Sequence, residues 1–420
     1  MSSILLTTQG SLGDLHPYLA LGLGLKARSH RVALATTRYY QSRVEGAGLE
    51  FRPMGPHLSP EDEQLIQMVC DPVKGSENIF RKLLMPGLRE MYADTLRAVE
   101  GVDFVVGHPI AMTTPIVCEQ KSIPWASVVL APLSFLSLHE PMEISGHPIL
   151  SGLTRHGPWL RKLFNGLGRR MTAAWVTPVL ELRKELGLPP GGHPLFEGQH
   201  SPRLVLALFT KLLGAPQPDW PPNVTVTGAC FYDRKEGHEA LSPALEAFLA
   251  AGPAPLVFTL GSTAVLNAGD FYTESAAAAR RLGRRAVLLC GKTPPRGVEG
   301  PDLHLADYAP YSQLFPRAEA VICSGGVGTI GQCLKAGVPF IVVPFGNDQP
   351  DNAARCFRLG VSRSLPRARY RADRAAELIA ALLADPGARP RARDCAAILA
   401  SEDGVNAACD AVEGLLARKS

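Results

Sequence analysis

Short apolar runs alternate with segments of helical periodicity along most of the chain. Residues 3–8 and 32–36 read as buried strands, and 15–28 between them repeats apolar side chains at helical spacing. Runs at 103–106 and 125–130 extend the pattern. Strand, helix, strand at this spacing implies right-handed crossovers and a parallel sheet. The pattern restarts in the second half, with apolar runs at 256–260, 286–289, 320–323 and 340–343 and helical segments near 270–282, 327–336, 351–358 and 371–384. The expected fold class is α/β, with two doubly wound Rossmann-like domains at 1–215 and 233–403. A linker at 216–232, opened by prolines 216, 218, 221 and 222, joins them. Facing domains of this kind hold ligands at the carboxyl ends of their strands.

Residues 57–90 and 134–200 are less regular, as loops over a binding site would be. Within them, Trp159, Leu160, Leu163, Phe164 and Leu167 share one helical face, and Arg155, Arg161, Lys162 and Arg169 supply charge. The pattern is open to a peripheral membrane contact, but a helix that turns this face to the core and its arginines to water is the expected form.

With 420 residues, 46% of them hydrophobic and 20% charged, the chain has material for two cores. A net charge of +4, spread along the chain, does not point to nucleic acid. Nine scattered cysteines without a CxxC pair fit reduced thiols better than a disulfide framework or zinc. Neither a secretory leader nor a membrane-spanning run of about 18 apolar residues is visible, so a cytoplasmic protein is expected, monomer or homodimer.

Four loops carry candidate chemistry. After the first strand comes Gly10-Ser11-Leu12-Gly13-Asp14-Leu15-His16-Pro17. Asp14 there can take a proton from an acceptor hydroxyl, and it also reads simply as a helix cap. His16 is a second catalytic candidate, and Ser11, Leu12 and His108 are candidates for acceptor binding. Gly261, Ser262 and Thr263 follow the strand at 256–260 and leave N–H groups and hydroxyls for a phosphate. Cys323, Ser324, Gly325, Gly326, Gly328 and Thr329 surround a helix start suited to a diphosphate. Gly326, Gly328 and Gly331 with Asp348 also fit the general dinucleotide fingerprint, so a nicotinamide-dependent oxidoreductase is a rival reading. Asp348, Gln349 and Asn352, on the next loop, offer donors and acceptors for vicinal sugar hydroxyls.

Taken together, these motifs resemble the family 1 glycosyltransferases of the GT-B fold, especially bacterial enzymes such as the rhamnolipid rhamnosyltransferases and the sterol and macrolide glycosyltransferases. The resemblance implies an acceptor-binding first domain, a second domain for a UDP- or dTDP-linked sugar, and a C-terminal helix at 404–420 packing back on the first. It implies direct displacement by a hydroxyl of a small hydrophobic acceptor, with inversion at the anomeric centre, and no metal or other cofactor. Asp14 matches the family's base, Gly261 and Ser262 its phosphate loop, and Asp348 and Gln349 its sugar-binding pair, with Asn352 nearby. One departure stands out. Relatives place a histidine just before the paired glycines, where this chain has Cys323 and Ser324. That opens a third reading, a non-catalytic protein binding nucleotide sugar or lipid.

Overall fold

The computed structural model describes every residue except 58, 60, 61, 234–239 and 418–420, and leaves out the side chains of 63 and 263. The end of the expected C-terminal helix and the start of the expected second domain therefore lie partly outside the described residues. The chain divides into two compact units. One comprises Met1–Val69, Val73–Tyr232 and Asp403–Ser420, the other Cys70–Pro72 and Asp233–Glu402.

The first unit is built on a seven-stranded sheet: β1 (Ser3–Thr7), β2 (Arg31–Thr36), β3 (Glu50–Pro53), β4 (Phe104–Gly107), β5 (Trp125–Val129), β6 (Val205–Ala207) and β7 (Val224–Val226). Their spatial order is β3-β2-β1-β4-β5-β6-β7, and every pairing is parallel. The strand order reverses between β1 and β4, so loops leaving these two strands diverge and open a crevice at their carboxyl ends. Thr7 pairs with Gly107, which brings the two loops off at one level.

Strand alternation sorts the core. Ile4 and Leu6 join Phe104 and Val106 in one cluster, and Leu5 joins Val105 and Met91 in the other. Helix α1 (Leu12–Ala27) lies on the first of these faces. It buries Leu15, Tyr18, Leu19, Leu21 and Leu25.

Two sequence expectations change here. The stretch 216–232 is not a free linker, because it contributes β7 to the sheet. Its prolines shape the approach to that strand, which is an edge position where a missing donor is tolerated. Helices α2 (Pro148–Thr154) and α3 (Pro158–Thr172) follow β5. The apolar face of α3 is turned largely to water instead of to the core: Trp159 is 67% exposed and Leu163 59%, while Leu160 and Phe164 are half-buried. Polar contacts help to hold the helix. Arg161 donates to the carbonyls of Leu138 and Thr154, and Asn165 to that of Leu136.

The second unit has a six-stranded parallel sheet: β8 (Leu256–Thr259), β9 (Ala286–Leu289), β10 (Leu303–Ala306), β11 (Ala320–Cys323), β12 (Phe340–Val342) and β13 (Ser362–Ser364), in the order β10-β9-β8-β11-β12-β13. Its reversal lies between β8 and β11, where Thr259 pairs with Cys323. Helix α4 (Val327–Ala336) follows β11 and α5 (Gln349–Arg358) follows β12. Helix α6 (Gly404–Ala417) belongs to the first unit. It meets the end of α1 through Arg28, whose guanidinium reaches Asp410 and Glu413, and through His30, which lies 3.0 Å from Glu413.

Candidate active site

At the switch point of the first unit, Ser11 caps α1. Its hydroxyl accepts from the Gly13 N–H, and Asp14 in the first turn reaches back to the cap. Asp14 Oδ2 accepts the Ser11 N–H at 2.7 Å and the Ser11 hydroxyl at 3.0 Å, closing a capping box. The plain cap reading of Asp14 is therefore correct for one oxygen. The other, Oδ1, faces His108 Nε2 at 3.5 Å, and the side chain keeps 29% of its surface exposed. Desolvation raises the Asp14 carboxyl above its ordinary range, against the lowering pull of the Ser11 hydrogen bonds. Gly10 makes this geometry possible. Its φ of +108° disfavours other residues, and a Cβ there would stand 2.5 Å from Asp14 Oδ2.

His108 leaves the end of β4, its N–H donating to the Thr7 carbonyl at 2.9 Å. Burial pushes its imidazole down to about 3, so it is neutral at physiological pH and its contact with Asp14 is not an ion pair. Nδ1 accepts the Ile110 N–H at 3.4 Å. The ring proton is thereby assigned to Nε2, the atom directed at Asp14. By sequence, His108 is expected with the acceptor and His16 with catalysis. The observed neighbour of Asp14 is His108, whereas the ring of His16 packs on Tyr232 at 5.5 Å. Ser11 is engaged in the cap, and Leu12 is half-buried against the core. Tyr18 and Tyr40 line the same neighbourhood, and both phenols are raised by burial and secondarily by the Asp14 charge. Neither has a motif around it in the sequence.

In the second unit, the loops after β8 and β11 converge. The Cβ position of Gly261 lies 3.8 Å from Thr329 Oγ1 and 3.9 Å from Ser324 Oγ. Ser324 donates to the Leu260 carbonyl at 2.7 Å, tying the two loops together. Gly326 caps α4, and the first amide to find a partner inside the helix is Ile330, bonded to the Gly326 carbonyl. The preceding N–H groups and the positive end of the helix are left for an anion. Nothing stands within 4 Å of a Cβ placed at Gly326 or Gly328, so the approach is open. Tyr311, absent from the sequence reading, bonds Thr259 Oγ1 at 2.8 Å and also Thr329, and burial holds its phenol up at about 12. Ser262 sits half-buried beside Gly261, and the side chain of Thr263 is outside the described residues.

Two predicted ligand contacts turn out to be internal. Cys323 is fully buried, with its thiol against that of Cys333, because the last residue of a central strand points into a covering helix. Asn352 is also fully buried; its amide donates to the Gly325 carbonyl at 3.1 Å and to Asp348 Oδ2 at 2.7 Å. It joins the glycine loop to the Asp348 loop. Gln349 caps that loop, its Oε1 accepting the Phe345 and Gly346 N–H groups. Asp348 and Gln349 remain half-buried at the rim, next to the start of α5.

Among the described residues, His57, Glu90 and Asp94 form a group that could hold a metal ion, with ligand atoms within 4.8 Å of one another. His57 Nδ1 accepts the Arg38 N–H at 3.3 Å, and Nε2 lies 3.5 Å from Asp94. Asp94 in turn accepts from Gly55 and Arg97. Of the three, Asp94 and His57 are held by hydrogen bonds.

Residues 4–134 match the model of the glycosyltransferase family 28 N-terminal domain. Residues 295–409 match that of the erythromycin biosynthesis protein CIII-like C-terminal domain. The chain is 36% identical to O-mycaminosyltylonolide 6-deoxyallosyltransferase of Streptomyces fradiae, covering 98% of this chain and 96% of that protein. It is 27% identical to sterol 3-beta-glucosyltransferase UGT80A2 of Arabidopsis thaliana, covering 97% of this chain and 64% of that longer protein. The fold is shared with the solved SsfS6 glycosyltransferase of Streptomyces sp. SF2575 in complex with thymidine diphosphate, at a TM-score of 0.64 and 19% identity over 99% of this chain and 100% of that one. The protein is thus a member of the GT-B glycosyltransferases.

Proposed function

We propose that the protein transfers a hexose or deoxyhexose from a dTDP- or UDP-linked donor to a hydroxyl of a small apolar acceptor, with inversion and without a metal. The observation that carries this reading is the division of labour at Asp14, where one oxygen caps α1 and the other is turned to a neutral imidazole. Asp14 takes the proton of the acceptor hydroxyl. The freed oxygen attacks the anomeric carbon, and the bond to the diphosphate breaks with its electron pair leaving on the nucleotide. A carboxylate whose affinity for protons is raised by desolvation is a better base than an exposed one.

The open amides at the start of α4, with Ser262 and Thr329, bind the diphosphate and stabilise it as it leaves. Asp348 and Gln349 bind hydroxyls of the sugar. The two relatives, an O-mycaminosyltylonolide 6-deoxyallosyltransferase and a sterol 3-beta-glucosyltransferase, support an acceptor of this size and polarity. The thymidine diphosphate held by SsfS6 favours dTDP as the carrier.

A thermal-shift screen of dTDP, UDP and NAD, followed by transfer assays with dTDP-deoxysugars on macrolide aglycones and sterols, tests the reading. The expected result is stabilisation by dTDP and a product of inverted anomeric configuration, formed equally well with chelator present. Stabilisation by NAD alone, a retained anomeric configuration, or activity abolished by chelator would overturn the corresponding element of the reading.

A further inference from the structure

The two helices that follow β5 have an inverted arrangement of side chains. On α3 the inward positions are Arg161 and Asn165, which hold backbone carbonyls. The outward positions are Trp159, Leu163, Leu167 and Met171, one per turn, exposed by 67%, 59%, 51% and 64%. Ile149 on α2 adds an apolar side chain that is 79% exposed. A row of this length, roughly 18 Å along the helix, leaves much apolar surface in water unless something covers it.

Charge identifies the cover. Residues 148–172 contain Arg155, Arg161, Lys162, Arg169 and Arg170 and not one Asp or Glu. Lys162 and Arg170 are exposed alongside the apolar row. Arg155 and Arg169 have found carboxylates elsewhere, Glu143 and Glu197. A second copy docked by two-fold symmetry would set the same cations against each other. An anionic lipid surface meets both features at once: acyl chains for the apolar row, phosphates for the cations and, at the boundary, a place suited to an indole.

We propose that 148–172 is an interfacial anchor that lies in the plane of an anionic bilayer, seating Trp159, Leu163, Leu167 and Met171 below the headgroups with Lys162 and Arg170 on lipid phosphates. Among the described residues no helix is long and apolar enough to cross a membrane, so attachment of this kind is peripheral. The inference is independent of the transferase reading.

The test is co-sedimentation of the full chain with vesicles of mixed phosphatidylglycerol and phosphatidylcholine, and with pure phosphatidylcholine. Binding to the anionic vesicles is expected to be at least about tenfold stronger, and to weaken at high salt. Leu163→Glu with Leu167→Glu, and separately Lys162→Glu with Arg170→Glu, should each lower binding by about tenfold or more at unchanged melting temperature. Quenching of tryptophan emission by brominated lipid should disappear in Trp159→Phe. Equal sedimentation of the parent and both double variants overturns the proposal. So does a parent protein that self-associates through this row, with the leucine variant monomeric and no vesicle binding in either.

Discussion

His108 Nε2 lies 3.5 Å from Asp14 Oδ1, and the Ile110 N–H on Nδ1 keeps the ring proton on the side that faces the carboxylate. The imidazole is therefore a neutral group whose N–H side is turned to the proposed base. Replacing it by Phe removes the donor while filling the volume. His108→Phe is expected to lower kcat by about tenfold, the scale of losing one polar neighbour of a charged group, with the dissociation constant for dTDP unchanged. Steady-state kinetics together with calorimetry check this.

The same pair contributes to the acid behaviour of the fold, alongside His200, which burial lowers to about 4. The folded-state affinity of His108 for protons is lowered to about 3, so its stabilising contribution is complete above the unfolded value of about 6.5 and is lost as pH falls below it. The loss is about 1.4 kcal/mol per pH unit for this one group. Asp14 has the opposite sign. Its raised affinity for protons favours the fold when protonated, and this contribution disappears as pH rises through the folded value. Denaturant titrations between pH 7 and pH 4 should thus show stability falling with acid, and less steeply in His108→Phe.

Gly325 has φ +92°, and a Cβ there would meet Val342 Cγ1 at 2.4 Å. Gly325→Ala combines a strained backbone with overpacking at the turn that leads into α4. A loss of about 2–4 kcal/mol in stability is expected, with weaker dTDP binding. Urea unfolding and calorimetry on the same preparation measure both.

Asn352→Ala removes the bridge between the Gly325 carbonyl and Asp348. The expected cost is about 1–3 kcal/mol, since the carbonyl loses a buried donor. A rise in KM for the donor should accompany it, because Asp348 loses its support while the catalytic base is untouched. An unchanged KM would separate Asn352 from the donor site.

Strand runs and glycine loops were legible in the sequence because both are local: burial imposes apolar runs, and tight turns at strand ends impose glycine. The pairing of Asp14 with His108 was not, since 94 residues separate them and only the β1–β4 neighbour relation brings their loops together. Motif position alone points Cys323 and Asn352 at the ligand, whereas side-chain direction at a central strand and an early helix turn sends both inward. The outward face of α3 escapes a sequence reading because amphipathic spacing reports two unlike faces and not which of them meets the protein. Gly326, Gly328 and Gly331 satisfy a dinucleotide fingerprint equally well, and it is likeness over the whole chain that separates a glycosyltransferase from a nicotinamide enzyme.

The most direct test of Asp14 as the base is Asp14→Asn, an isosteric change that can still accept the Ser11 N–H and preserve the cap. Turnover with a dTDP-sugar and an acceptor should fall by about a hundredfold to ten-thousandfold, the usual contribution of a positioned base. Calorimetric dTDP binding should be unchanged, and the melting temperature at pH 7 unchanged or higher, because a desolvated charge has been removed. A variant that retains parental turnover would contradict the account.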